Sequence, residues 1–159
     1  MVATVGQEIV IDAPVDVVWR TVTEPEQVAR WFADEVNVQA TPGYDGSLTF
    51  TGHTTESVTA RSRIVRVSVQ SVEPARSFSY RWQHPQGAPA RVGNSLLVTF
   101  TLIPEGAGTR LRVVETGLED MGWTRQEQDI YIAEHTHGWV THLGKLRDHL
   151  AEQRANNRS

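Results

Sequence analysis

Apolar residues recur along this chain first at every second position, then at every third or fourth, and the switches between the two periods divide it into elements. Val5 to Ile11 alternates as a strand, with Ile9 and Ile11 on one face and Glu8 and Val10 on the other. Ala13-Pro14 ends it, and Pro14 suits a first helical turn, where its missing N–H is not needed. Val15, Val18, Trp19 and Val22 then follow helical spacing. Thr23 with Glu26 has the pattern of a capping box and predicts a second short helix from about Pro25 to Phe32, with Val28, Trp31 and Phe32 as its apolar residues.

The middle of the chain returns to the period of two. Val36 and Val38 alternate, Thr41-Pro42-Gly43-Tyr44-Asp45-Gly46 reads as a turn, and Ser47 to Gly52 reads as a strand. The polar stretch His53 to Thr59 is expected to be a mobile loop or an irregular hairpin end. Val65, Val67 and Val69 alternate up to the stop at Glu73-Pro74. Phe78, Tyr80 and Trp82 share one face of the next strand, and Ser77, Ser79 and Arg81 take the other. A Pro- and Gly-rich connection from His84 to Gly93 leads to Leu96, Val98, Phe100 and Leu102. Pro104 to Gly108 is a hairpin turn, and Thr109 to Thr116 returns with Leu111 and Val113 aligned. Strands joined by short turns predict an antiparallel meander.

The last segment changes period again. Thr124 with Glu127 forms a second capping-box pattern, and helix is expected from 124 to about 153, with the final few residues disordered. Ile132, Thr136, Trp139, Leu143, Leu146 and Leu150 alternate spacings of four and three, which makes one apolar stripe. At 1.5 Å per residue such a helix is roughly 45 Å long, enough to cross a sheet. Gly138 and Gly144 each cost about 1 kcal/mol relative to alanine inside a helix. Gly138, beside Trp139, is expected to bring the backbone close to the sheet or to mark a bend.

Composition narrows the function classes. The chain has 159 residues, which fits a single domain over 1–159, and carries a net charge of −4 without cysteine. Disulfides, thiolate metal sites and cysteine nucleophiles are thereby excluded. Lys145 is the sole lysine and the arginines are scattered, so the basic face that a nucleic-acid binder needs is missing. No apolar run reaches the roughly 20 residues of a membrane span, and Met1 to Glu8 lacks the features of a secretory signal, so a cytoplasmic location is expected.

Taken together, Ile9-Val10-Ile11-Asp12-Ala13-Pro14, Val17-Val18-Trp19, Thr23-Glu24-Pro25-Glu26 with Trp31, Val69-Gln70-Ser71-Val72-Glu73-Pro74, and Gly138-Trp139 with the leucines after it resemble the START-like (SRPBCC) superfamily. Within it the sequence is most similar to homologues of the activator of the 90-kDa heat-shock-protein ATPase. The resemblance implies an α+β helix-grip fold: a curved antiparallel sheet wrapped around a long C-terminal helix, with two short helices after the first strand. It also implies a cavity between sheet and helix. Superfamily members bind lipids, hormones or polyketides, catalyse cyclisation or hydrolysis, or stimulate a chaperone; the eukaryotic activators carry a further N-terminal domain with no counterpart here.

The residues themselves point to a container more than to a catalyst. His135, His142 and His149 stand seven apart, about 10.5 Å between neighbours along a helix, too far to share a metal. No HExxH pattern, nucleophile elbow, phosphate loop or dinucleotide fingerprint is present, so no metal, cofactor or catalytic set is assigned. At 100° per residue His135 falls inside the buried stripe, as a core histidine or a cavity group. Glu115 continues the alternation of Leu111 and Val113 toward the concave side; a strand ending there would send it to solvent instead. The candidate ligand-binding set is Trp31, Phe32, Phe50, Phe78, Tyr80, Trp82, Phe100, Glu115, His135, Trp139 and Leu143, for a small apolar or aromatic molecule, with Tyr80, His135 and Glu115 setting its orientation. The alternatives are a protein that modulates a 90-kDa heat-shock chaperone and a cavity enzyme that moves protons, cyclises or hydrates.

Overall fold

Backbone hydrogen bonds join seven strands into one antiparallel sheet in this computed structural model, which describes residues 3–52, 61–85 and 87–156. In chain order the elements are β1 (Val5–Ile11), α1 (Val15–Thr23), α2 (Pro25–Trp31), β2 (Glu35–Asn37), β3 (Asp45–Gly52), β4 (Arg61–Glu73), β5 (Ser77–Trp82), β6 (Leu96–Glu105), β7 (Gly108–Thr116) and α3 (Arg125–Asn156). The spatial order is β1-β7-β6-β5-β4-β3-β2. The two short helices therefore carry the chain from one edge strand to the other, and the meander walks back across the sheet. The result is the expected α+β helix-grip architecture, a curved sheet against one long helix. The segment 53–59 and the last three residues, expected to be a loop and a frayed end, lie outside the described residues.

Alternation decides which side chains face α3. Val65, Val67 and Val69 of β4, Phe78, Tyr80 and Trp82 of β5, Leu96, Val98, Phe100 and Leu102 of β6, and Leu111, Val113 and Glu115 of β7 are all buried. Between Val69 and Ser71 the β4–β5 register slips by one residue. This bulge absorbs Gln70, so Val72 faces Phe78 and returns to the inward side. On the outer side the slip lets Ser71 Oγ and Ser79 Oγ meet at 2.6 Å.

The helix ends show one capping box formed and one not. Thr124 Oγ1 accepts from the Glu127 N–H at 3.1 Å, and Glu127 Oε1 accepts from the Thr124 N–H at 3.3 Å. The expected box at Thr23 does not form. Thr23 lies in the last turn of α1 and donates its hydroxyl to the Trp19 carbonyl at 2.7 Å, so Glu24 stands before α2 and Pro25 takes the first helical position. Two helices abutting at one residue leave the threonine inside the first helix rather than ahead of the second. α2 ends at Trp31, and Phe32 follows it as the cap residue.

α3 presents Trp139, Leu143, Leu146 and Leu150 to the core. It is tied to α2 by His149 Nε2 with Gln27 Oε1 at 2.9 Å and by His142 Nδ1 with the Trp31 carbonyl at 3.3 Å. At its far end the Arg154 guanidinium pairs with the Asp12 carboxylate just beyond β1. Trp31 Nε1 donates to the Thr21 carbonyl at 2.9 Å and locks α2 onto α1. The interior between these helices and the sheet is filled: the gap bounded by Val28, Trp31, Phe32, Phe78, Tyr80 and Phe100 measures about 20 Å³. Leu146 has no exposed surface. Leu146→Ala is expected to lower unfolding free energy by about 2–5 kcal/mol, the usual cost of such a cavity, read from the urea midpoint at unchanged slope.

Candidate functional site

The inward alternation of β7 ends on a carboxylate, and the structure builds a site around it. Glu115 is 0 % exposed, paired in register with Val5 on one side and Val98 on the other. Its Oε1 accepts from Trp82 Nε1 at 2.9 Å and from Tyr131 Oη at 2.5 Å. Its Oε2 accepts from Trp139 Nε1 at 2.8 Å and meets His135 Nδ1 at 2.9 Å. A carboxylate offers about four acceptor sites, and here every one is used. The two indole N–H groups can only donate, so each oxygen accepts one of them, and an ionised Glu115 takes Nδ1–H of His135 as a further donor. This full satisfaction is what makes a buried charge tolerable in an apolar core.

The four donors come from two elements only. Trp82 closes β5, while Tyr131, His135 and Trp139 succeed one another at four-residue spacing along α3, one above the next on a single face. The His135 ring stacks on Tyr131 with centroids 3.7 Å apart and planes at 16°. Burial, and then the negative charge of Glu115, push the Tyr131 phenol well up from its ordinary value, so it stays a donor at all working pH. Tyr80 is raised by the same two causes in the same order.

Above this cluster lies a cleft of about 290 Å³, lined by Phe32, Phe50, Val65, Trp82, Trp139 and Gly138, with Arg63, Gln83, Glu134, His135 and His142 as its polar groups. Phe32 lies parallel to Trp139 at 5.1 Å and to Trp82 at 6.1 Å, and Phe50 and His142 meet its ring edge-on at 5.3 and 4.9 Å. Arg63 Nη2 donates to Gln83 Oε1 at 2.8 Å across the rim. Gln83 adopts φ +71, in the left-handed region that L side chains avoid. The chain turns there as it leaves β5, and the bond to Arg63 fastens the side chain over the cleft.

Of the residues singled out from sequence, Phe32, Phe50, Trp82, His135 and Trp139 meet at this cleft. Trp31, Phe78, Tyr80 and Phe100 surround the nearly closed interior gap, and Leu143 is packed in the core. Glu115 stands behind the indoles, so of the Glu115–His135 pair only the imidazole lines the cleft. Sequence reasoning did not single out Tyr131, although it stands one turn before His135. The sequence does not single out Arg63 and Gln83 either, because a polar residue at a strand's rim or in the turn beyond it carries no periodic signal. His142, considered from sequence only for metal spacing, is half-buried: Phe32, at the end of α2, covers that side of α3. Gly138 makes no close approach to the sheet. A Cβ placed there would meet nothing within 4 Å, so the missing side chain leaves room in the cleft instead.

Among the described residues, no group of three or more His, Asp or Glu side chains is arranged to hold a metal ion, and no helix is long and apolar enough to cross a membrane. A family model described as activator of Hsp90 ATPase homolog 1-like protein matches residues 12–151. No curated protein matches the sequence. Protein MLL2253 from Mesorhizobium loti is 24% identical over 94% of this chain and 97% of its own, with a TM-score of 0.72. DynU16, a protein of the dynemicin biosynthetic locus, is 26% identical at a TM-score of 0.72, over 94% of this chain but only 47% of its own. The Aha1 dimer from Colwellia psychrerythraea is 16% identical over 91% of this chain and 93% of its own, at a TM-score of 0.64.

Glu115→Gln would turn an amide N–H₂ toward groups that themselves donate. It is expected to cost about 2 kcal/mol or more in urea unfolding and to shift tryptophan emission, since one of the two indole bonds is lost and the other is left on a neutral oxygen. A second expectation concerns pH. Burial, together with Lys145, lowers the His142 pKa below 6.5 despite the bond to the Trp31 carbonyl, and burial likewise lowers His84 and His149. Between those lowered values and 6.5 the unfolded chain binds more protons than the folded one, so unfolding free energy rises with pH there. Melting temperature should hold above pH 6.5 and fall as the solution is acidified below it, and His142→Gln should flatten the decline.

Proposed function

We propose, for a chain that belongs to the activator of Hsp90 ATPase homolog 1-like family, that it is a binding module for a small apolar or aromatic molecule held in the cleft between β4, β5 and α3. The observation that carries this reading is the pairing of an unfilled cleft of about 290 Å³ with walls of stacked aromatic rings. Its size is at the lower end of ordinary small-molecule sites, which combine apolar walls with a few fixed polar groups. A flat ligand laid against Trp82, Phe32 and Trp139 would gain roughly 25 cal/mol for each Å² of apolar surface removed from water. DynU16, from a biosynthetic locus, shares the fold and is compatible with a ligand-holding role.

A second reading rests on the family itself and on the likeness to the Aha1 dimer: modulation of a 90-kDa heat-shock chaperone. The two readings separate at Gly138. Leucine there has better helix propensity than glycine and its Cβ meets nothing within 4 Å, while Gly138 lines the cleft, so the longer side chain is directed into that space. Gly138→Leu is expected to fold with at least wild-type melting temperature and to bind an anilinonaphthalene sulfonate dye at least tenfold more weakly. Gly144→Ala, on the same helix away from the cleft, should leave dye affinity unchanged. Equal dye affinity in Gly138→Leu and wild type would place the ligand elsewhere. A change in chaperone ATP turnover that survives Gly138→Leu would support the second reading over the first.

A further inference from the structure

Two imidazoles face the same cleft, and each is held by its Nδ1. For His135 the holder is the Glu115 carboxylate at 2.9 Å; for His142 it is the Trp31 main-chain carbonyl at 3.3 Å. A carbonyl can only accept, so His142 donates through Nδ1, and toward an ionised Glu115 carboxylate His135 does the same. In the neutral ring the other nitrogen is then the acceptor. The Nδ1 atoms point to buried partners while the rings line the cleft, which leaves each Nε2 on the ligand side. Neither Nε2 has a hydrogen-bond partner among the described residues. The rings themselves are clamped: His135 lies flat on Tyr131, and His142 stands edge-on to Phe32 at 4.9 Å. Two acceptors of fixed direction thus flank an aromatic floor made of Trp82, Phe32 and Trp139.

We propose that the cleft selects flat aromatic molecules bearing a hydroxyl at each end, with one hydroxyl donating to Nε2 of His135 and the other to Nε2 of His142. The inference deepens the binding reading above and rests on it. Spacing sets the size. Seven residues of helix set the two histidines' backbones about 10.5 Å apart along the axis, and rings leaving the same face in parallel keep their Nε2 atoms near that spacing. Two hydrogen bonds of about 2.8 Å leave roughly 5 Å between the hydroxyl oxygens if all atoms lie in line, and somewhat more if they do not. That is the span of one ring or two fused rings. A single isolated hydroxyl would satisfy one imidazole and leave the other dry and unpaired, at a cost that lowers affinity for plain aromatics. Arg63 and Glu134 at the rim are exposed, so water satisfies them with or without a ligand.

The test compares three probes by calorimetric titration: the naphthalenediol with one hydroxyl on each ring at opposite corners, its dimethyl ether, and unsubstituted naphthalene. Wild type is expected to bind the diol at least tenfold more tightly than the ether. His135→Phe and His142→Phe keep a flat ring but remove the acceptor; each should reduce the preference for the diol over the ether about tenfold, whatever it does to the affinity both probes share. Circular dichroism confirms that each variant is folded, and the comparison of probes on wild type stands even if one is not. Equal binding of all three probes by wild type would overturn the proposal while leaving the cleft reading intact. Diol preference retained in both phenylalanine variants would overturn it too, since the hydroxyls would then be read by other groups. Binding of none of the three would remove the cleft reading and the proposal together.

Discussion

The structure depends on a single buried carboxylate. Glu115 sits where the alternation of β7 would otherwise place a valine or leucine, and a lone charge there would be expensive to desolvate. Its cost is offset because four donors converge on it from β5 and α3. The same bonds fix the direction of two tryptophans, a tyrosine and a histidine, which apolar packing alone would leave free to choose among rotamers. The carboxylate therefore acts as a registry pin. It sets how α3 lies along the sheet, and everything in the cleft inherits that setting.

From this pin follows the division between filled and open space. With Trp82 and Trp139 oriented by Glu115, Phe32 packs parallel to both, and the deep interior closes. What remains is the outer cleft, kept open by Gly138. Alanine at that position would serve helix stability better by about 1 kcal/mol. A helix interior that keeps glycine where nothing crowds it trades stability for room, and the adjoining aromatic walls give that room a chemical character. His142 and Arg63 add polarity to its lining.

Much of the architecture was legible in the sequence because strands and helices write their burial as period. Phe78, Tyr80 and Trp82, the leucines of the last helix, and the meander of short turns all carry that signal, and Glu115 could be placed inward by counting from Leu111. Resemblance to a known superfamily supplied the arrangement of those elements. The site was only half legible. Aromatics on the concave side read alike whether they fill a core or wall a pocket, so Trp31, Phe78 and Phe100 could not be told from Phe32 and Trp82. Tyr131 and Arg63 depend on which turn of α3 meets which strand end, a tertiary fact that no local window contains. Thr23 misled for a related reason: its pattern marks a helix start, but α1 had not yet ended.

The strand order has a consequence for how the chain acquires its shape. β1 has a single neighbour, β7, with Val5 opposite Glu115 and Ile11 opposite Thr109. β1 must therefore wait for β7, about a hundred residues on, while α1 and α2 have no completed sheet to cover until β6 and β7 form. Non-local closure of this kind slows folding relative to helical proteins of equal size. Until that pairing forms, Val18, Val22, Trp31 and Phe32, all buried in the finished fold, lack the sheet that covers them.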